Sequence, residues 1–196
     1  IDSIKCDNFT DQSLVQNSLS WTPNINPVAG CDDDIVNYKL YFRPTNEGDF
    51  TLLVTLDASQ LSFIHDNITS LAGCYYVTAL DRLGNESEPS NIVCQDNCIY
   101  YELPNVFTPN NDGKNDVFQP FPTPRFVESV KFRVYNRWGT LVFTREDDIL
   151  LNWDGTSNAG ETLPAGMYYY SAEVKFITLN PNESVQKLKG WIKLLR

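Results

Sequence analysis

The chain has 196 residues and a formal net charge of −10, and its 42% hydrophobic and 13% aromatic content is enough for the cores of two small domains. An acidic balance repels nucleic-acid phosphates, and no run of about eighteen apolar residues is present, so neither nucleic-acid binding nor membrane insertion is expected. The opening "IDSIKCDNFT" lacks a basic start ahead of an apolar stretch, and we expect the sequence to begin inside a longer protein.

Strand-forming segments recur along the chain while no window sustains a 3.6-residue apolar period, which makes the expected class all-β. In the first half "NSLSWTP" places Leu19 and Trp21 on one face, and "VNYKLYFRP" places Val36, Tyr38, Leu40 and Phe42 on one face. "DFTLLVTL", "SFIHDNIT" and "CYYVTALDRLGNESEPSNIVC" follow. In the last of these Tyr75, Val77 and Ala79 alternate ahead of a Gly84-Asn85 turn, and the stretch resembles the final hairpin of a fibronectin type III domain, with Trp21 as its core tryptophan. Residues 1–99 are therefore expected to form a fibronectin type III/Ig-like sandwich. Centring that hairpin on Gly84-Asn85 sets Cys74 opposite Cys94 or its neighbour, with Cys98 a competitor for the same partner. Cys6 with Cys31 would tie the first strand to the following long loop. All five cysteines lie in this half without paired C-x-x-C spacing, and a single His accompanies them, so disulfides of an oxidising compartment are expected rather than zinc.

Residues 1–100 carry four Lys/Arg against fourteen Asp/Glu, whereas the remainder carries eleven of each, so the halves differ in kind. No G-x-S-x-G, no phosphate loop and no nucleophile beside His65 is present, and the chain is not expected to be an enzyme. His65 reads as a structural strand residue and Trp21 as core.

The second half, 100–196, reads as seven strands: "LPNVFTP", "DVFQPF", "VESVKFRVYNRW", "GTLVFTRE", "LLNW", "GMYYYSAEVKFITL" and "ESVQKLKGWIKLLR". A seven-stranded antiparallel sandwich is expected, the second of two Ig-like domains in tandem. Val130, Phe132 and Val134 share a face, as do Tyr168, Tyr170, Ala172, Val174 and Phe176, and as do Leu188, Ile192 and Leu194. "NWDG" reads as a turn. "LPNVFTPNNDGKNDVFQP", "VYNRWGTLVF", "NWDG", "LPAGMYYY" and "KGWIKLLR", in this order, closely resemble the gliding motility-associated C-terminal domain, a type B sorting domain of the Bacteroidetes type IX secretion system. Asn111 stands where that family usually has Gly. The resemblance implies a folded export signal, carried through the periplasm to the cell surface and read by the type IX translocon with a PorP/SprF-like outer-membrane partner. It also implies a parent such as a large gliding adhesin. A carbohydrate- or surface-binding module in residues 1–99 is the alternative.

Candidate partner-binding residues are Lys187, Lys189, Trp191, Lys193 and Arg196 in the last segment, where an aromatic stands among cations, and Arg137 with Trp138 at the "NRWG" hairpin tip. If the last strand lies on an edge, strand addition is open to it. In "NNDGKND" the calcium-loop pattern is partly met, but its first position falls on Thr108 and its twelfth on Gln119. Asn110, Asp112 and Asp116 are the ligands if calcium binds; otherwise no cofactor is expected.

Overall fold

The computed structural model describes residues 16–23, 34–66, 69–146 and 148–196. The fold is all-β: eleven strands in three sheets among the described residues. The chain divides into two compact units, Ile1–Asn97 with Thr178–Pro181, and Cys98–Ile177 with Asn182–Arg196.

In unit 1, β1 (Asn17–Ser20) pairs antiparallel with β4 (Ser62–His65). The facing sheet is built from β2 (Ile35–Arg43), β3 (Thr51–Asp57), β5 (Gly73–Asp81) and β6 (Val93–Gln95) in the order β3-β2-β5-β6. This is the pairing of an Ig-like sandwich, with β1 and its single partner β4 set in a sheet apart from the other four strands. Leu19 from one sheet meets Leu40 and Tyr75 from the other, and Trp21, Phe42, Phe63 and Val77 pack around them. The alternation of "VNYKLYFRP" explains this side of the core: Tyr38 and Leu40 are buried while Lys39 and Tyr41 turn to the other face.

Unit 2 differs from a seven-stranded antiparallel sandwich. One five-stranded sheet carries β7 (Val106–Phe107), β8 (Val127–Tyr135), β9 (Leu141–Glu146), β10 (Gly166–Phe176) and β11 (Val185–Leu194), ordered β7-β11-β10-β8-β9. The first of these, β7, runs parallel to β11. "DVFQPF" and "LLNW" do not extend into strands but meet at a single bridge between Phe118 and Trp153. Their backbones give the reason. Pro120 removes a ladder donor from the first segment and Pro122 another directly after it, and Leu151 and Asn152 adopt φ of 64° and 43° in the second, where extended pairing stops.

This bridge and its loops form the layer covering the sheet's inner face. Val130, Phe132, Val134, Tyr168, Ala172, Val174, Phe176, Ile192 and Leu194 are buried beneath it, so the three faces read from alternation all point to one core. Trp153 is fully buried at its centre, its ring 5.1 Å from Phe107 and 5.6 Å from Phe143, with Nε1 donating to the Thr156 carbonyl at 2.7 Å. A Cβ at Gly190 would lie 2.7 Å from Tyr170 Cε1: the glycine makes room for that ring on the inner face of β11.

Candidate functional site

The outer face of the five-stranded sheet gathers four of the expected partner-binding residues. Lys187, Lys189, Trp191 and Lys193 occupy alternate positions of β11, and all four are exposed. Register then shows what lies beside each of them. Trp191 stands opposite Tyr169 of β10, Tyr169 opposite Tyr135 of β8, and Tyr135 opposite Leu141 of β9, making an apolar row across four strands. Trp191, Tyr169 and Leu141 keep 45%, 53% and 46% of their surface in solvent, unusual for large apolar groups set side by side. Lys187, Glu173, Lys131 and Glu146 form a second row of alternating sign, and Lys189, Ser171, Arg133 and Thr144 a third that holds no carboxylate. Tyr135, Tyr169 and Leu141 were absent from the sequence-based candidates because alternation reveals a face but not which strands are neighbours.

Arg196 does not join this face. Its guanidinium donates to the carbonyls of Leu163 (3.3 Å), Pro109 (3.5 Å) and Gly155 (3.3 Å), tethering loops at the end of β11. Arg137 and Trp138 sit at the β8–β9 hairpin tip. Asn136 Oδ1 accepts the N–H groups of Trp138 and Thr140, and Gly139, at φ 80°, closes the turn, so neither Arg137 nor Trp138 is needed to make it. Arg137 lies 5.3 Å from the Trp138 ring, yet that ring is 80% exposed instead of packing back on the sheet. A cleft of about 440 Å³ separates this tip from Pro164–Tyr168.

The calcium candidates are engaged differently from the ligands of a cation. The Asp116 carboxylate accepts the backbone N–H groups of Asn110 (3.0 Å), Asn111 (2.6 Å) and Gly113 (2.7 Å). Asp112 accepts from Asn110 Nδ2 and from the Lys114 N–H, while Asn110 Oδ1 accepts the Asp112 N–H. The loop therefore wraps a carboxylate in N–H donors, unlike a cage of converging oxygens. Asn111 takes φ 62°, the conformation for which a glycine would be the easier choice.

In unit 1, Cys74 and Cys94 face each other across β5 and β6 and are joined in a disulfide. Cys98, the first residue of unit 2, is buried and also disulfide-bonded, so it does not compete for Cys74. The expected Cys6–Cys31 pair lies outside the described residues. Trp21 packs edge-on against Tyr38, with centroids 5.7 Å apart, half-buried at the margin of the core. His65 Nδ1 lies 2.9 Å from the Tyr75 hydroxyl, which also accepts from Asn17 Nδ2 at 2.9 Å. Burial lowers the His65 pKa, and the neutral ring is the form that accepts the Tyr75 proton. On the opposite surface Glu86 accepts from Lys39, Tyr41 and Thr78, each at 2.7 Å; these bonds lower its pKa to about 2 and, through Tyr41, raise the phenol to about 12.

Residues 101–194 match the family described as the CHU_C Type IX secretion signal domain. No curated protein matches the chain. Among solved structures, the chain is similar to the FN1–FN3 domains of chicken CNTN1, with 12% identity and a TM-score of 0.35 over 93% of this chain and 63% of that one. It is also similar to a tetra-tandem repeat in the extending region of a large adhesion protein (14% identity, TM-score 0.39, 92% of this chain and 49% of that one). A third likeness is to dimeric latent PorU from Porphyromonas gingivalis (15% identity, TM-score 0.30, 93% and 18%). The chain thus spans less than two thirds of the length of each, and TM-scores this low carry no functional weight.

Proposed function

We propose, from the premise that residues 101–194 belong to the CHU_C family of type IX secretion signal domains, that unit 2 is the address by which a longer surface protein is exported. A type IX secretion signal implies engagement with that secretion machinery and delivery to the cell surface. In this reading the cargo crosses the periplasm with unit 2 folded, and a PorP/SprF-like outer-membrane protein reads it. The parent is a gliding adhesin of a Bacteroidetes cell. Unit 1 serves as a disulfide-stabilised spacer, and neither unit performs catalysis. The observation that carries the proposal is the family match over a segment with its own closed core, supported by an exposed sheet face of cations and aromatics such as recognition by a protein partner uses.

The test is a fusion of the 196-residue chain to a periplasmically exported fluorescent protein, compared with a fusion to residues 1–99 alone, in hosts with and without the secretion system. Fluorescence at the surface or in the medium is expected only for the full chain in the competent host. Retention of the full chain in that host sinks the proposal.

A further inference from the structure

The sheet of unit 2 has two edges that are finished differently. On the β9 edge the Asn158 backbone N–H donates to the Val142 carbonyl and Asn158 Oδ1 accepts the Thr144 N–H, each at 3.0 Å, so one residue caps the strand with its backbone and its side chain. On the other edge β7 pairs only with Lys193 and Leu194. The N–H groups of Lys193 and Leu195 donate to Asn105 and Phe107 on that side, and β11 runs against β10 without a bulge. Alternation then directs the backbone N–H and C=O of Lys187, Lys189 and Trp191 to the same open side. No strand covers Val185–Ile192 there among the described residues.

We propose that this open length of β11 is a strand-addition site for an extended acidic segment of a partner protein, with carboxylates opposite Lys187 and Lys189 and an aromatic residue opposite Trp191. The rows of the sheet argue for that occupant. The charge row runs Glu146, Lys131, Glu173, Lys187, and the next strand continues its alternation with an acid. Lys189 has no carboxylate beside it in its own row, so a second acid there gains a neighbour that the sheet does not supply. The apolar row Leu141, Tyr135, Tyr169, Trp191 stops at the open edge with Trp191 half in solvent, and an aromatic residue extends it. The same lysines exclude the wrong partner. A second copy of β11 brings lysines against lysines, so the edge resists self-pairing while it admits an oppositely charged strand.

This deepens the export reading by naming the chemistry of what unit 2 recognises, and its test is independent of export. The probe is a seven-residue peptide, Tyr-Thr-Glu-Thr-Glu-Thr-Tyr, whose pattern is the same in either chain direction, added to the purified ¹⁵N-labelled chain at low salt. We expect saturable binding that slows hydrogen exchange at the amides of Lys187, Lys189 and Trp191. Binding weakens at least about tenfold in Lys187→Glu/Lys189→Glu and returns when the peptide glutamates are replaced by lysines. Both substituted side chains are exposed, so the variant keeps its fold. No binding, equal binding by the variant, or binding that leaves those three amides unprotected overturns the proposal. Normal export with no peptide binding sinks strand addition alone; peptide binding with failed export sinks the sorting reading alone.

Discussion

Unit 1 centres on Leu19, Leu40 and Tyr75, ties β5 to β6 through Cys74–Cys94, and buries a hydrogen-bonded Asn17–Tyr75–His65 chain between its sheets. Unit 2 instead packs Phe107, Phe118, Phe143 and Tyr168 around the indole of Trp153 and leaves carboxylates such as Asp116 and Asp154 to fold its turns. The two units are vulnerable in different ways. The Cys74–Cys94 bridge and a titratable tie make the first unit responsive to loss of that bridge and to acid, whereas shape-matched apolar volume makes the core of the second responsive to cavities. Substitutions that strike one unit and leave the other unmoved test this contrast directly.

Trp153→Ala should strike hardest. Removing a fully buried indole from among four aromatic rings leaves a cavity and an unpaired Thr156 carbonyl, a loss of about 3–5 kcal/mol. In denaturant titrations followed by residue-resolved NMR, unit 2 signals should move to much lower midpoints while unit 1 signals stay. Equal displacement of both would break the contrast. The converse variant is Cys74→Ala/Cys94→Ala. The bridge closes a loop of sequence separation 20, for which the chain-entropy model gives about 3 kcal/mol, and the loss should appear in unit 1 only.

The outcome for Trp153 also shows where sequence reading stops. Period-two alternation suffices to orient Tyr168, Ala172, Val174, Ile192 and Leu194, because a strand's faces follow from its own residues. "NWDG" looks like a turn, and Asp154-Gly155 is one, with Thr156 N–H and Oγ1 donating to Asp154 Oδ1. Yet the Trp153 beside it is the core, held there by Leu151 and Asn152 at positive φ, a conformation that leucine's identity does not announce. Arg196 is similar. Its place beside Lys193 in sequence suggests a cationic tail, but β11 ends at Leu194 and the side chain turns to three loop carbonyls. The apolar row Trp191–Tyr169–Tyr135–Leu141 needed the strand order and register, both set by contacts distant in sequence.

A smaller effect within unit 2 sharpens the contrast. Asp116→Ala leaves three backbone N–H groups without their acceptor in an exposed loop, where water replaces part of the loss, so we expect about 1–2 kcal/mol. Calorimetric titration of the unmodified chain with calcium should give no saturable heat, because those N–H groups occupy the oxygens that a cation needs. Saturable calcium binding abolished by Asp116→Ala would instead make the loop a metal site.

The smallest expected effect is a pH dependence confined to unit 1. Burial holds the His65 pKa below the usual 6.5, with Asp66 nearby opposing the shift. A base whose folded pKa is depressed binds its proton more tightly when unfolded, so its contribution is fully present above pH 6.5 and is lost as pH falls towards the folded value. Protonation also removes the Nδ1 lone pair that accepts from the Tyr75 hydroxyl. The urea midpoint of unit 1 should decline between pH 7.5 and 5, and that of unit 2, which contains no histidine, should show no such histidine-linked fall. The window stays above the range of Glu86, whose depressed pKa of about 2 withdraws stability only as pH falls below the ordinary carboxylate value of 4.5. His65→Phe keeps an aromatic ring beside Phe42, Phe63 and Tyr75 while removing the titrating group, and the slope of unit 1 should flatten. A slope that survives in His65→Phe would assign the acid response to another group and leave the Asn17–Tyr75–His65 chain a packing feature only.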